Sequence, residues 1–269
     1  MPIPGGFGTP PTVSVLALAT PSPGVQVTVT NMDVNAATIT VWRVSASYSK
    51  VAVRGASNTL VAGPFTVDDF EAPLGEQLTY SAVTYDSGGV PSDESDGTNI
   101  TLVSTSTWIS DPLIPTSAIT VRIGDFPERT REIDAEFMRP IGSDTSIMVA
   151  GQRARGSGQL MLVTTTLDDL NDLRGVLMQT PLILIRAPYA SWDLGSEFLG
   201  FQNVSEKRIG PLAEPTRQIV SDIVYIQRPV PEIAGPLHTY AELAGKGYSY
   251  TILSAADLTY LQLAQRGGL

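Results

Sequence analysis

The chain has 269 residues, of which 42% are hydrophobic and 16% charged, and its net charge is −10. This is the composition of a globular protein of about two domains, and the acidic balance excludes tight nucleic-acid binding through phosphate contacts. The lack of cysteine excludes disulfides and cysteine-ligated metals, and the lack of an apolar run of about 18 residues argues against membrane insertion.

Residues 1–9 are expected to form an N-terminal arm that is flexible or bound at an interface. The arm contains Gly5-Gly6-Phe7-Gly8, which lacks the lysine that follows the glycines of phosphate-binding loops. The apolar run at residues 13–19 ends in an Ala-x-Ala pattern, but the residues before it include four prolines and no Lys or Arg. A signal peptide is therefore not expected.

Residues 10–104 alternate between apolar and polar side chains, as half-buried strands do. Seven short strands over this length predict an immunoglobulin-like sandwich. Trp42 lies on the third strand, where such sandwiches often bury a tryptophan. The strands are expected at residues 13–19, 25–30, 38–44, 50–54, 63–67, 78–85 and 99–103.

The segment from Asp69 to Tyr80 resembles the turn and strand of fibronectin type III domains. In that family a leucine before the turn and a tyrosine after it pack at a corner, and Leu74 and Tyr80 are the matching residues here. The resemblance implies a module that adheres or spaces rather than one that catalyses.

Residues 105–230 are predicted to form a second β domain, and the stretch between Val103 and Thr120, with two Asp/Pro-rich turns, is interpreted as the linker. One amphipathic helix is expected at residues 166–178. Strands are expected near residues 117–123, 131–138, 145–152, 159–164, 182–187, 197–204 and 216–227.

The helix has both a start signal and an apolar face. Thr166 can cap it, and the carboxylates of Asp168 and Asp169 favour the positive end of the helix dipole. Its apolar side chains share one face, so the helix should lie across a sheet. These side chains are Leu167, Leu170, Leu173, Val176 and Leu177.

From Trp108 onward, the type and order of these elements resemble the minor tail proteins of long-tailed double-stranded DNA phages that infect actinobacteria. The resemblance implies a two-sheet domain with one packed helix, as in tail-tube and distal-tail proteins. It also implies a structural, non-enzymatic virion protein of the tail tip or baseplate, assembled in the host cytoplasm. Its partners would be further copies of itself, in a trimer or hexamer ring whose lumen can pass DNA, and other tail proteins.

Residues 231–269 form a C-terminal extension with a ten-residue repeat of a hydroxyl residue, a tyrosine and a leucine three positions further on. The extension has too little material for a core of its own, so we expect it to dock on a neighbouring subunit or another tail component. The candidate interface residues are Tyr240, Leu243, Tyr250, Leu253, Tyr260 and Leu263.

Two further candidate interface residues, Arg153 and Arg155, lie in a run that continues through Gly156 and Gly158. We expect a hairpin with this run at its tip that reaches an adjacent subunit. Arginines and small residues can also bind phosphate, but no helix follows directly in phosphate-loop geometry.

The sequence shows no residues arranged for catalysis, so neither an enzyme nor a cofactor is expected. His238 is the one histidine, and it stands alone. Asp134 and Glu136 share a predicted strand face and could imitate a glycosidase pair, but any exposed strand provides this spacing. The carboxylates at residues 93–96 lack the spacing of a calcium loop.

An alternative function is a secreted or surface module for carbohydrate binding or adhesion, with a fibronectin-like spacer. A sugar site needs exposed aromatic platforms, and the tryptophans after the sandwich are Trp108 and Trp192. A third possibility, a glycoside hydrolase of the tail tip, needs two carboxylates about 5 to 10 Å apart in a cleft. Nothing in the sequence selects such a pair.

Overall fold

A computed structural model describes residues 8–46, 50–125, 129–131, 133–139, 141, 144, 146–153, 156–188, 195–211 and 215–229. The side chains of residues 134, 147, 150, 152 and 153 are outside the description. The chain is mostly β, with antiparallel sheets and, in the part that the structure describes, one helix. No helix there is long and apolar enough to span a bilayer.

The elements of the sandwich region are β1 (Thr12–Leu18), β2 (Gly24–Thr30), β3 (Thr38–Val44), β4 (Val51–Ala52), β5 (Thr59–Leu60), β6 (Phe65–Asp69), β7 (Gln77–Tyr85) and β8 (Thr98–Thr101). The elements that follow are β9 (Thr107–Asp111), β10 (Ile114–Asp125), β11 (Arg129–Thr130), β12 (Ile133–Met138), β13 (Ile147–Arg153), β14 (Ser157–Thr164), α1 (Leu167–Gln179), β15 (Leu182–Arg186), β16 (Ser196–Arg208) and β17 (Arg217–Tyr225).

The first eight strands form two antiparallel sheets around one core. One sheet has the order β1-β2-β6, and the other has the order β4-β3-β7-β8, with β5 paired to β3. The seven predicted strands each have a counterpart, while β5 was not predicted. Alternate side chains point inward because the side-chain period of a strand is two. The core residues include Val25, Val27, Val29, Ile39, Val41, Leu74, Leu78 and Tyr80.

The expectation that Trp42 is buried in this core is wrong. On β3 the side chains of Ile39, Val41 and Arg43 point inward, so Trp42, between the last two, points to the opposite face. Trp42 is half-buried there, with the Lys50 ammonium 5.1 Å from its ring centroid. The core position at this end of β3 is therefore occupied by the charged side chain of Arg43.

The second group of strands closes into a barrel. Six antiparallel strands follow the order β10-β9-β15-β16-β17-β14, and β10 also pairs with β14, which completes the ring. The short β11 pairs with β14 beside it. The expectation of two packed sheets is wrong for this core, because one sheet surrounds it. The long β10 joins both ends of that sheet, pairing with β9 over Ile119–Val121 and with β14 from Arg122 onward. Closure removes the free edges that an open sheet would expose.

Gly124 lies in a tight space at the closure of the barrel. It lies where the register of β10 against β14 shifts. A Cβ atom at this position would come within 2.7 Å of Val163 Cγ2 and 3.0 Å of Met161 Sδ. A side chain here would therefore clash with Val163 and Met161 unless those two side chains shifted.

The stretch interpreted as a linker contains the strand β9, which corrects that prediction. Ile109 is fully buried in the barrel core, and the strand pairs with both β10 and β15. Its Asp/Pro-rich turn is the connection between β9 and β10, not a spacer between domains. The chain between the two cores is accordingly short, from Leu102 to Ile109.

The helix α1 covers the barrel core, as predicted. Thr166 is its N-cap, and the Thr166 hydroxyl accepts a 3.1 Å hydrogen bond from the Asp169 amide. Leu170, Leu173 and Val176 are buried in the barrel core, and Leu177 packs against it. Leu167 is 56% exposed, so its predicted place on the buried face is wrong.

Candidate functional site: a protruding hairpin and a charged junction

The strands β12 and β13 form a two-stranded sheet that is separate from the barrel. Phe137 pairs with Met148, and Glu136 pairs with Val149. The chain enters this hairpin after β11 and returns from it into β14, both of which belong to the barrel sheet. The barrel therefore carries the hairpin as an appendage.

Both faces of the hairpin expose apolar side chains. Phe137 (68% exposed) and Met148 (49%) share one face, because they are paired directly across the strands. Met138 (50%) and Val149 (55%) lie on the other face. A two-stranded hairpin is marginally stable by itself in water, and contiguous exposed apolar side chains mark interaction surfaces. The hairpin thus has the properties of a segment that a partner covers.

Residues beyond the strands extend the apolar surface to the tip of the hairpin. Ile141 is fully exposed in the connection between β12 and β13. Arg139 lies at the start of that connection, and its guanidinium donates a 3.5 Å hydrogen bond to the Asp144 carbonyl. The tip combines an isoleucine with a basic and an acidic residue.

The expectation that Arg153 to Gly158 form the tip of a hairpin is wrong. Arg153 is the last residue of β13 and pairs with Ile133, while Gly158 pairs with Arg129 on β11. Arg153 and Gly158 therefore lie at the base of the hairpin, where the chain passes into the barrel. A hairpin with this tip would pair β13 with β14, but β14 pairs with β10, β11 and β17 instead.

The structure describes some of the other candidate residues and not the rest. Glu136 is exposed on β12 of the hairpin, whereas the side chain of Asp134 lies outside the description. Glu94 accepts hydrogen bonds from Lys50 (2.8 Å) and from the Ser81 hydroxyl (2.5 Å). In the part of the chain that the structure describes, no three His, Cys, Asp or Glu side chains are grouped to hold a metal. The candidates Arg155, Trp192, His238, Tyr240, Leu243, Tyr250, Leu253, Tyr260 and Leu263 lie outside the described residues.

Trp108 does not stand free as a sugar platform. Its indole nitrogen donates a 3.2 Å hydrogen bond to the Ser104 hydroxyl, and its ring packs against the sandwich core. Although Trp108 belongs to β9 of the barrel, its side chain contacts the other core. It therefore ties the two cores together.

A buried polar cluster, which the sequence did not predict, occupies the end of the sandwich core. Arg43 donates a 2.6 Å hydrogen bond to the Asp69 carboxylate, which also accepts one of 2.9 Å from the Tyr80 hydroxyl. The Glu71 amide donates to the second carboxylate oxygen of Asp69 at 3.0 Å. Leu74 and Tyr80, the predicted corner residues, are both buried in this core.

The pKa values of this cluster follow from burial and charge. Burial alone would raise the pKa of Asp69, but the Arg43 charge and the hydrogen bonds from Arg43, Tyr80 and the Glu71 amide outweigh it and hold this pKa below its ordinary value. Burial and the Asp69 charge raise the pKa of Tyr80, which keeps its hydroxyl a donor. The cluster therefore has a fixed charge state at neutral pH.

Three arginines connect this end of the sandwich to the barrel and to the chain that leaves it. Glu71 accepts hydrogen bonds from Arg54 Nε (2.6 Å) and Arg228 Nε (2.7 Å). Arg186, the last residue of β15, is 1% exposed and donates to the Pro23 carbonyl at 2.6 Å. Burial away from water is the main cause that lowers the pKa of Arg186 to about 10.

Comparisons with models of protein families, with curated proteins and with solved structures found no match to this chain.

Proposed function

We propose that this chain is a structural, non-enzymatic minor tail protein of a phage virion, which builds the tail tip or baseplate as a homo-oligomeric ring. The support comes from the resemblance of the residues from Trp108 onward to such proteins and from the protruding apolar hairpin. The protein is assembled in the host cytoplasm and contacts other tail proteins through its C-terminal extension.

The first module is, in this proposal, a fibronectin type III-like sandwich that projects from the ring. A three-stranded sheet packed against β4-β3-β7-β8 supports this assignment, as does the burial of Leu74 and Tyr80 at the end of one core. One feature departs from the tyrosine corner, in which the hydroxyl bonds to the backbone, because here Tyr80 donates to a carboxylate.

The second module is the ring-forming, tail-tube-like domain of the proposal. A barrel without long free edges has few unpaired backbone groups for joining copies by strand addition. Side-by-side contacts must then come from side chains and appendages. The hairpin is the appendage whose apolar side chains need a cover.

The exposed apolar arms of β12 and β13 are the observation that carries this proposal. If each copy inserts its hairpin against the next copy, every copy gives one hairpin and receives one, which is a head-to-tail contact. Such a contact forms a ring when the rotation between successive copies closes, as the proposal requires. Such an arrangement would cover Phe137 and Met148 on one face and Met138 and Val149 on the other.

The experiment replaces Phe137 and Met148 by serine in one variant and measures particle mass by analytical ultracentrifugation over a range of concentrations. The wild type should sediment as a trimer or hexamer, and the variant as a folded monomer. The matched control is Leu16→Ser with Leu60→Ser, which removes two leucines that are 61% and 75% exposed on the sandwich. The control should retain the mass of the ring.

Two outcomes would overturn the proposal. One is a hairpin variant that assembles as the wild type does. The other is a wild type that stays monomeric at every concentration, since the ring is homo-oligomeric.

A further inference from the structure

The junction between the sandwich and the barrel is held by contacts from both sides. Glu71, just after β6, accepts hydrogen bonds from Arg54 of the sandwich and from Arg228, which follows β17 of the barrel. Arg228 also donates a 2.8 Å hydrogen bond to the Ala52 carbonyl on β4. One guanidinium thus contacts two separate points on the sandwich, which fixes direction as well as distance.

Arg186 makes a second connection at a different point. Its guanidinium donates to the Pro23 carbonyl at 2.6 Å and to the Ser22 hydroxyl at 2.7 Å, with a longer contact of 3.4 Å to the Ala72 carbonyl. All three acceptors belong to the sandwich, whereas Arg186 ends a barrel strand. If the two modules shifted while Arg186 stayed buried, its guanidinium would lose these acceptors without gaining water, so small changes in their relative orientation are costly.

The chain segment that connects the two modules is also held in place by hydrogen bonds. The Ser104 hydroxyl donates to the Ser106 carbonyl at 3.0 Å and accepts a hydrogen bond from the Trp108 indole. The Trp108 ring then packs on the sandwich core. The link is thus folded onto the junction, unlike the solvated, contact-poor segments that usually separate mobile domains.

We infer that the sandwich and the barrel form one rigid body, in which Glu71 is the clamp that fixes their relative orientation. The same clamp sets where the C-terminal extension begins, because Arg54 also donates a 3.2 Å hydrogen bond to the Pro229 carbonyl. This inference concerns a single chain and does not depend on the proposed ring.

The test measures distances between spin labels attached to one introduced cysteine in each module. The chain has no native cysteine, so Leu60→Cys on the sandwich and Met178→Cys on the barrel helix are labelled specifically. Both positions are exposed, at 75% and 88%. Labelled protein is diluted with unlabelled protein, so that pulsed electron resonance reads distances within one chain.

The wild type should give a single narrow distance distribution, and Glu71→Gln should broaden it, because the neutral amide cannot bind both guanidinium groups as the carboxylate does. Glu94→Gln is the matched control: Glu94 also accepts from a cation and a hydroxyl, but both belong to the sandwich. Its distribution should stay narrow. Arg228→Gln tests the same clamp from the barrel side if Glu71→Gln does not fold.

A broad or multimodal distribution for the wild type would overturn the inference. An unchanged narrow distribution in both Glu71→Gln and Arg228→Gln would show that Glu71 does not fix the orientation and would also overturn the inference.

Discussion

Arg228, which follows the last barrel strand, donates a 2.7 Å hydrogen bond to the carboxylate of Glu71, which lies 157 residues earlier at the end of the sandwich. Neither side chain is more than 15% exposed. The pair joins the two modules where water cannot easily replace it, and ion pairs that are partly buried lose less of their strength to screening than exposed ones do.

The helix α1 provides the first prediction, on stability. Leu170→Ala should reduce the free energy of unfolding by about 2 to 5 kcal/mol, because it removes a side chain that is 1% exposed and leaves a cavity beneath the helix. The matched control is Leu167→Ala in the same helix, where the exposed leucine predicts a change within about 0.5 kcal/mol. Denaturant unfolding measures both, and equal effects would contradict the packing described for α1.

The second prediction concerns how the free energy of unfolding falls at acid pH. The pKa of Asp69 is lower in the folded chain than its ordinary value of 3.8, so the unfolded chain binds the proton more tightly. The stability that Asp69 contributes is therefore complete above about pH 5 and is lost as the pH falls towards its folded pKa. Unfolding free energies measured down to acid pH should show this loss.

Asp69→Asn checks the origin of that loss. The variant should be less stable at neutral pH by about 3 to 5 kcal/mol, because Arg43 remains buried without its charge partner. Its stability should also depend less on pH below about pH 5 than that of the wild type. Parallel curves for the two proteins would show that another group controls the loss of stability at acid pH.

The third prediction is that replacing Asp134 and Glu136 together by alanine removes no activity. Glu136 is exposed on an arm of the hairpin, where water would surround a bound glycan. The assay is hydrolysis of cell-wall and glycan substrates by the wild type and the double variant. Hydrolysis by the wild type that disappears in the variant would contradict a structural role.

Local patterns in the sequence predicted much of the fold. The strand β3 has the predicted bounds, and α1 is shifted by one residue, because alternation, a threonine cap and spaced leucines are local signals. The Trp42 prediction failed although its strand was correct. Burial along a strand depends on which alternate set of side chains faces inward, and on β3 that set contains Arg43 and not Trp42.

The site was harder to predict because it depends on pairing between distant segments. Strand pairing closes β10 onto β14 and separates the β12–β13 hairpin from the barrel. Local sequence patterns do not indicate which strands pair. The contacts of Glu71 with Arg54 and of Arg186 with Pro23 join separate elements in the same way. Arg43 could have indicated the buried cluster. It occupies a position in the alternation of β3 that faces the core, and a charged side chain at a core position implies a buried partner.

The fourth prediction is that a chain truncated after Val230 still folds but fails to enter tails. The contacts of Arg228 and Pro229 with the sandwich lie before the cut and remain intact. The removed repeats contribute Tyr240, Tyr250 and Tyr260, whose rings suit an interface. Thermal unfolding and incorporation into tails are measured separately. Normal assembly of the truncated chain, or exposure of all three tyrosines in the particle, would contradict the prediction.

Electron microscopy of the purified 269-residue chain will show whether copies form the proposed ring. We expect closed rings of threefold or sixfold symmetry, with barrels side by side, sandwiches at fixed positions on them, and the β12–β13 hairpin of each copy buried against the next. Particles that are monomeric, or rings in which Phe137 and Met148 face solvent, would contradict it.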